Sequence, residues 1–341
     1  MPQKEMFTYL SADGKTKIHA CRWIPDEPPR AILQIAHGMV EYIDRYEPFA
    51  LYLNALGILV AGNDHLGHGD SVTDRENWGY FADEDSCDVL LQDMHVLTKL
   101  TMARYPGIPC VLLGHSMGSF LARNYLCHWG GELAGAILMG TGYRPKGLVQ
   151  LGKTICSLLA KGKGWHHRSR FVDNMAFGSC NKAFRPARTE KDWLTRDEEV
   201  VDRYLADPRC TFFFTLNGYH TLFTAIGRLY DKAELAKMPK DLPVLFVSGE
   251  MDPVGDFGKG VRLAADTFLA AGMRDVDLWL YMGRHEILNE TDRDLVFAGL
   301  ARWLVDLAEG KHIPVHSPGA CTEENCRFCR SKLPDLFPKA D

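Results

Sequence analysis

Pro109-Cys110-Val111-Leu112-Leu113-Gly114-His115-Ser116-Met117-Gly118 is a short apolar run that ends in Gly-x-Ser-x-Gly and leads into a helix-like segment. Gly114 and Gly118 leave room for a sharp strand-to-helix turn that any larger side chain would block. Such a turn holds Ser116 in a strained backbone conformation with its hydroxyl above the sheet edge. A serine hydroxyl is a poor nucleophile unaided, so the pattern carries chemistry only if a base and an oxyanion hole exist elsewhere. By itself Gly-x-Ser-x-Gly also occurs in ordinary turns. The strand before it and the helix after it set this one apart.

The flanking chain alternates between the two periodicities. Residues 31–36 and 57–61 are apolar runs bounded by turn formers, and residues 46–56 between them carry Phe49, Leu51, Leu53 and Leu56 at helical spacing. Residues 86–104 form an amphipathic pattern with Val89, Leu90, Met94, Leu97 and Leu100 on one side. A helix is predicted over 116–128 and a strand over 135–139. Further strands are predicted over 242–248 and 276–281, with helices over 258–272 and 293–310. At the start, residues 6–10 and 17–23 flank Asp13-Gly14, a hairpin signal. Strands that are apolar along their whole length belong to a parallel sheet covered on both faces. The expected fold is therefore α/β, a mostly parallel sheet with helices on both faces.

The alternation stops between 143 and 240, where the chain is helical, charged and aromatic. The expected organisation is a sheet core from 1–142 and 241–310, a helical cap at 143–240 and a tail at 311–341. In the cap, Leu148, Leu151, Ile155, Leu158 and Leu159 recur at helical spacing among lysines, an arrangement expected to line an acyl chain. The same stripe allows at most a peripheral membrane contact. Phe212, Phe213, Phe214, Tyr219 and Phe223 form a second apolar group, suited to lining a pocket or packing the cap.

Composition narrows the function classes. The chain has 341 residues and a formal net charge of −5, which gives no reason to expect nucleic acid as a partner. No apolar run approaches the roughly 20 residues needed to cross a bilayer. The first residues lack the pattern of a secretory signal. Most of the ten cysteines are scattered singly in apolar segments, the usage of a reducing compartment, so a cytoplasmic location is expected.

A serine nucleophile needs a histidine base, and the histidine needs a carboxylate to hold its tautomer. Two loops after late strands offer them: Ser248-Gly249-Glu250-Met251-Asp252-Pro253-Val254-Gly255 and Met282-Gly283-Arg284-His285-Glu286. The order Ser116, Asp252, His285 is that of strand-turn-helix hydrolases, with Glu250 and Asp256 as alternatives for the acid. The oxyanion amides are expected from Met117, after the nucleophile, and from Met39 in the loop after residues 31–36.

His37-Gly38-Met39-Val40-Glu41-Tyr42-Ile43-Asp44-Arg45-Tyr46 resembles the His-Gly-x-x-Glu-His-x-x-Arg-Tyr block of monoacylglycerol lipases and bacterial lysophospholipases. Asp64-His65-Leu66-Gly67-His68-Gly69-Asp70-Ser71 is similar to their Asp-x-x-Gly-His-Gly-x-Ser block. With the serine, aspartate and histidine loops, five motifs occur in that family's order over roughly residues 10 to 310. The resemblance implies a triad of Ser116, Asp252 and His285, oxyanion amides at Met39 and Met117, and substrate contacts from His37, Gly38, Glu41 and His115. It implies the α/β-hydrolase fold with a helical cap insertion, a lipid-like carboxylic ester as substrate, and no cofactor. A serine aminopeptidase, a prolyl-type peptidase or an acyltransferase would use the same scaffold, and a non-catalytic binding protein would keep its shape without its chemistry. Tyr42 departs from the family's histidine, and the insertion is somewhat longer than in the monoacylglycerol lipases. The family uses the Asp64 block to brace its loops rather than to bind metal through Asp64, His65 and His68. In the tail, His316, Cys321, Cys326 and Cys329 are of the types that can hold a structural zinc.

Overall fold

A computed structural model of the chain describes residues 3–313; the possible zinc ligands His316, Cys321, Cys326 and Cys329 lie outside them. The strands are β1 (Gln3–Leu10), β2 (Lys17–Ile24), β3 (Ala31–Ala36), β4 (Ile58–Asn63), β5 (Cys110–His115), β6 (Gly135–Met139), β7 (Val244–Gly249) and β8 (Val276–Tyr281). They form one sheet in the order β1-β2-β4-β3-β5-β6-β7-β8. β1 and β2 make an antiparallel hairpin that joins β4 antiparallel, and the sheet from β4 to β8 is parallel.

Alternate residues of each central strand enter opposite hydrophobic layers. Ile32 and Leu112 pack with α2 (Ser86–Arg104) and α3 (Met117–Trp129) through Leu90, Met94, Phe120 and Leu121. Leu33, Val111 and Leu113 pack on the other face with α1 (Glu47–Asn54), through Phe49 and Leu53, and with a late helix carrying Val296 and Leu300. Each fully buried aliphatic side chain contributes about 1.5–3 kcal/mol. A strand that must satisfy both layers can carry almost no polar residue, which explains the continuous apolar runs.

Between β6 and β7 lie α4 (Lys146–Lys163), α5 (Arg170–Phe177), α6 (Glu198–Ala206), α7 (Leu216–Arg228) and the short α8 (Lys232–Leu235), with no strand among the described residues. The order closes with α9 (Lys259–Ala270) after β7 and α10 (Arg293–Ala308) after β8. No helix among the described residues is long and apolar enough to cross a membrane.

The leucine stripe of α4 does not do what its spacing suggests. α4 turns Val149, Gly152, Cys156 and Ala160 inward along α7, while Ile155 and Leu159 are only partly covered. Leu148, Leu151 and Leu158 are 61%, 51% and 61% exposed, and none of the five lines the cavity described below. Close approach decides the face. A Cβ at Gly152 would lie 2.8 Å from the Phe223 ring, so only the small-residue side of α4 fits against α7.

Candidate active site

β5 ends at His115, and the next residue, Ser116, has φ 52° and ψ −117°, outside the regions an L-residue favours. Such strain costs on the order of 1–3 kcal/mol and persists only where the surroundings impose it. Here the Ser116 N–H donates to Met139 O at 2.9 Å, and its carbonyl accepts from the Ser119 N–H at 2.9 Å and the Ser119 hydroxyl at 2.6 Å. A side chain at Gly118 would collide with Ala36 O, and one at Gly114 with Gly118 O. The turn therefore sits directly on β3. Met117 opens α3, so its N–H has no partner within the helix.

The loops after β7 and β8 bring a carboxylate to an imidazole. His285 Nδ1 and Asp252 Oδ1 are 2.9 Å apart, and both residues are buried. Asp252 also accepts from the Val254 N–H at 2.8 Å and the Ser248 hydroxyl at 3.1 Å, which holds its carboxylate in one orientation. A proton on Nδ1 facing Asp252 leaves Nε2 as the basic nitrogen. Glu250 and Asp256 are exposed, and neither bonds the ring. Ser116 and His285 border one cavity of about 830 Å³, together with Met39, Glu41 and His115.

In the loop after β3, the Gly38 N–H donates to Glu41 Oε1 at 2.6 Å and the Val40 N–H to His68 Nε2 at 3.2 Å. Between these two tied amides, the Met39 N–H has no acceptor among the described residues. Val40 is held at φ 56°. A Cβ on Gly38 would lie 3.0 Å from Ser116 Cβ, so the loop presses directly against the serine.

His37 is placed differently from the expectation that it contacts substrate. Its ring is fully buried, with Nδ1 2.7 Å from Gly38 O and Nε2 accepting from the His65 N–H at 2.9 Å. Neither His37 nor Gly38 borders the cavity; Glu41 and His115 do. Burial pushes His37 down and His68 down to about 3, so both rings are neutral braces. Asp64 braces from the other side, accepting from the Ile43 and Asp70 N–H groups, each at 2.8 Å.

Behind the cavity lies a charged hub that sequence reasoning missed. Arg45, held between two buried carboxylates, donates to Glu41 Oε2 at 2.9 Å and to Glu286 Oε1 and Oε2 at 2.9 and 2.6 Å. Glu41 Oε1 meets the Tyr46 hydroxyl and His115 Nδ1, each at 3.0 Å. Burial opposes every charge here, yet the pairing outweighs it. The Glu41 and Glu286 carboxyls are held below their usual range and Arg45 and His115 above theirs. The four-residue spacing of Glu41 and Arg45 was visible in sequence. Glu286 was not, because its partner is distant.

The chain between β6 and β7 packs against this centre. The Glu286 N–H donates to Leu194 O at 2.7 Å and the His285 N–H to Trp193 O at 3.4 Å, while Arg196 pairs with Glu290 at 2.8 Å. Phe177, Leu205, Phe212 and Phe213 give the cavity an apolar wall, and Asn181 and Lys182 belong to its polar part. Of the aromatic group seen in the sequence, Phe214 and Tyr219 are instead fully buried, and Phe223 faces α4.

Residues 27–292 match the family described as serine aminopeptidase, S33. The chain belongs to this family. Its relatives include a monoglyceride lipase homolog of Monkeypox virus, 35% identical over 281 residues that cover 81% of this chain and 88% of the viral one. A monoacylglycerol lipase of Mycolicibacterium smegmatis is 28% identical over 287 residues, 83% of this chain and 91% of that one. Among solved structures, a thermostable carboxyl esterase from Bacillus coagulans superposes with a TM-score of 0.83 at 29% identity, covering 90% of this chain and all of the esterase. The fold is the α/β-hydrolase fold, and this member of the family is a carboxylic ester hydrolase.

Proposed function

We propose that the chain hydrolyses single-chain lipid esters of the monoacylglycerol or lysophospholipid type, with Ser116 as nucleophile, His285 as base and Asp252 as the orienting acid. In this mechanism His285 Nε2 takes the Ser116 proton as Oγ attacks the ester carbonyl. Charge developing on the carbonyl oxygen is received by the Met39 and Met117 amides. Each such donor typically supplies about 3 kcal/mol in the transition state. His285 then returns the proton to the departing alcohol and activates the water that cleaves the acyl-enzyme. The apolar wall at Phe177, Leu205, Phe212 and Phe213 suits the acyl chain, and the polar part of the cavity suits a head group. The observation that carries this reading is the Asp252–His285 bond in a loop that shares its cavity with the strained Ser116.

The outer cap supports peripheral contact with a lipid surface. Leu148, Leu151 and Leu158 on α4 and Phe171 on α5 are exposed beside Lys161, Lys163 and Arg170. The seven described cysteines are free and buried, which supports a reducing, cytoplasmic setting.

The test is turnover by Ser116→Ala of a short p-nitrophenyl ester, with circular dichroism as the folding control. Loss of at least about 10³-fold with an unchanged fold is expected, together with loss of fluorophosphonate labelling. Near-parental turnover would remove Ser116 from the mechanism. A panel of monoacylglycerols, lysophospholipids and aminoacyl amides then reads the substrate class, and preference for the amides would overturn the lipid-ester reading.

A further inference from the structure

The side chain of Tyr42, in the loop after β3, leaves the core to meet the turn after α6. Its hydroxyl donates to Asp207 Oδ2 at 2.8 Å and accepts from Arg209 Nη2 at 2.9 Å. The Arg209 guanidinium carbon also lies 3.8 Å from the centre of the Tyr42 ring. Asp207 and Arg209 hold each other at 2.9 Å, and the Asp207 carboxylate accepts the Arg209 N–H, shaping the tight turn Pro208–Cys210. Two residues before Tyr42, Val40 O accepts from the Tyr204 hydroxyl at 2.9 Å, and Tyr204 lies on α6 just ahead of the same turn. The stretch from Tyr204 to Phe212 thus grips the loop bearing Met39 at two points and also walls the catalytic cavity.

We propose that Tyr42 is a positioning residue that fastens the Pro208–Cys210 turn of the cap to the loop bearing Met39, and so holds the Met39 amide where the oxyanion forms. This rests on the assignment of Ser116 and Met39 above. Charge-assisted hydrogen bonds and an arginine stacked on an aromatic face are directional, so they fix a geometry rather than merely add attraction. Glu41 and His68 tie the amides on either side of Met39 from the core side, and Tyr42 with Tyr204 ties the loop from the cap side. An oxyanion amide acts on the transition state and scarcely on the bound ester. A loosened loop therefore lowers kcat and leaves KM for a short ester in place. A contact that served stability alone would move the melting temperature and neither constant.

The experiment compares Tyr42→Phe, Arg209→Met and the double variant on a short p-nitrophenyl ester, with melting temperatures alongside. Phenylalanine keeps the ring beneath Arg209 and removes both hydrogen bonds. Each single variant is expected to lower kcat about tenfold with KM within twofold, the scale of one hydrogen bond to a charged group. The double variant should lose no more than the worse single one, because both substitutions open the same latch. Parental kcat in both single variants, or losses that multiply in the double variant, would overturn the latch. Turnover that survives in Ser116→Ala would overturn the nucleophile assignment instead, so the two failures are distinct.

Discussion

Arg45 and Glu286 are 241 positions apart in the chain and form a largely buried, two-pronged ion pair at 2.9 and 2.6 Å. Through Glu41 the same guanidinium reaches the loop bearing Met39, and its other partner, Glu286, is the residue after His285. One side chain therefore registers the proposed oxyanion loop against the proposed base. A fork-shaped cation can do this because its donors point in fixed directions.

Removing that cation strands two buried carboxylates. Arg45→Met should destabilise the protein by about 3–5 kcal/mol, the range for breaking a buried pair from one side. Glu286→Gln, which leaves Arg45 paired with Glu41, should cost clearly less. Urea denaturation of both variants reads the order; Arg45→Met within about 1 kcal/mol of the parent would show that water reaches the hub.

The carboxylate of Asp252 orients His285 from its Nδ1 side. Asp252→Asn presents an amide whose N–H₂ favours the wrong tautomer, and kcat should fall by roughly 10³–10⁴. Glu250→Gln and Asp256→Asn, at exposed positions, should stay within about twofold of the parent, since neither bonds the ring. Steady-state kinetics on one short ester distinguishes the three. A large loss in either control would reassign the acid.

Buried His68 makes stability depend on pH. Burial lowers its folded value from 6.5 to about 3, so the folded ring stays neutral where the unfolded one takes up a proton. Its contribution is present above pH 6.5 and is lost as pH falls toward 3, at up to about 1.4 kcal/mol per pH unit. His68→Gln can still accept from the Val40 N–H but cannot titrate. The slope of unfolding free energy between pH 6.5 and 4 should be shallower in that variant; an unchanged slope would mean that His68 is already protonated in the folded protein.

Local periodicity carried most of the framework. The spans expected at 86–104, 135–139 and 276–281 are those of α2, β6 and β8, because each is a continuous pattern with clear breakers at its ends. Ser116, Asp252 and His285 stood out as candidates because each follows an apolar strand in a loop too polar to be core. In α4 the periodicity points the other way for the converse reason. Its leucines form the more hydrophobic stripe, yet Val149, Gly152, Cys156 and Ala160 face α7, since helices meet where small residues let their backbones approach. The motif that holds His37 suggests a substrate contact, whereas its ring points into the protein and ties down the His65 amide.

The sequence by itself determined the α/β order, the turn at Ser116 and which residues stand as candidates for the chemistry. Periodicity and turn residues act over a few positions, so they can be read without knowing what they touch. Only the tertiary structure decided that Asp252 rather than Glu250 or Asp256 meets His285. It also decided that Arg45 bridges Glu41 and Glu286, and that Tyr42 reaches Asp207 and Arg209 across the boundary with the cap. Those partners are set by how distant segments pack, and complementary charge or shape far along a chain leaves no local pattern to read.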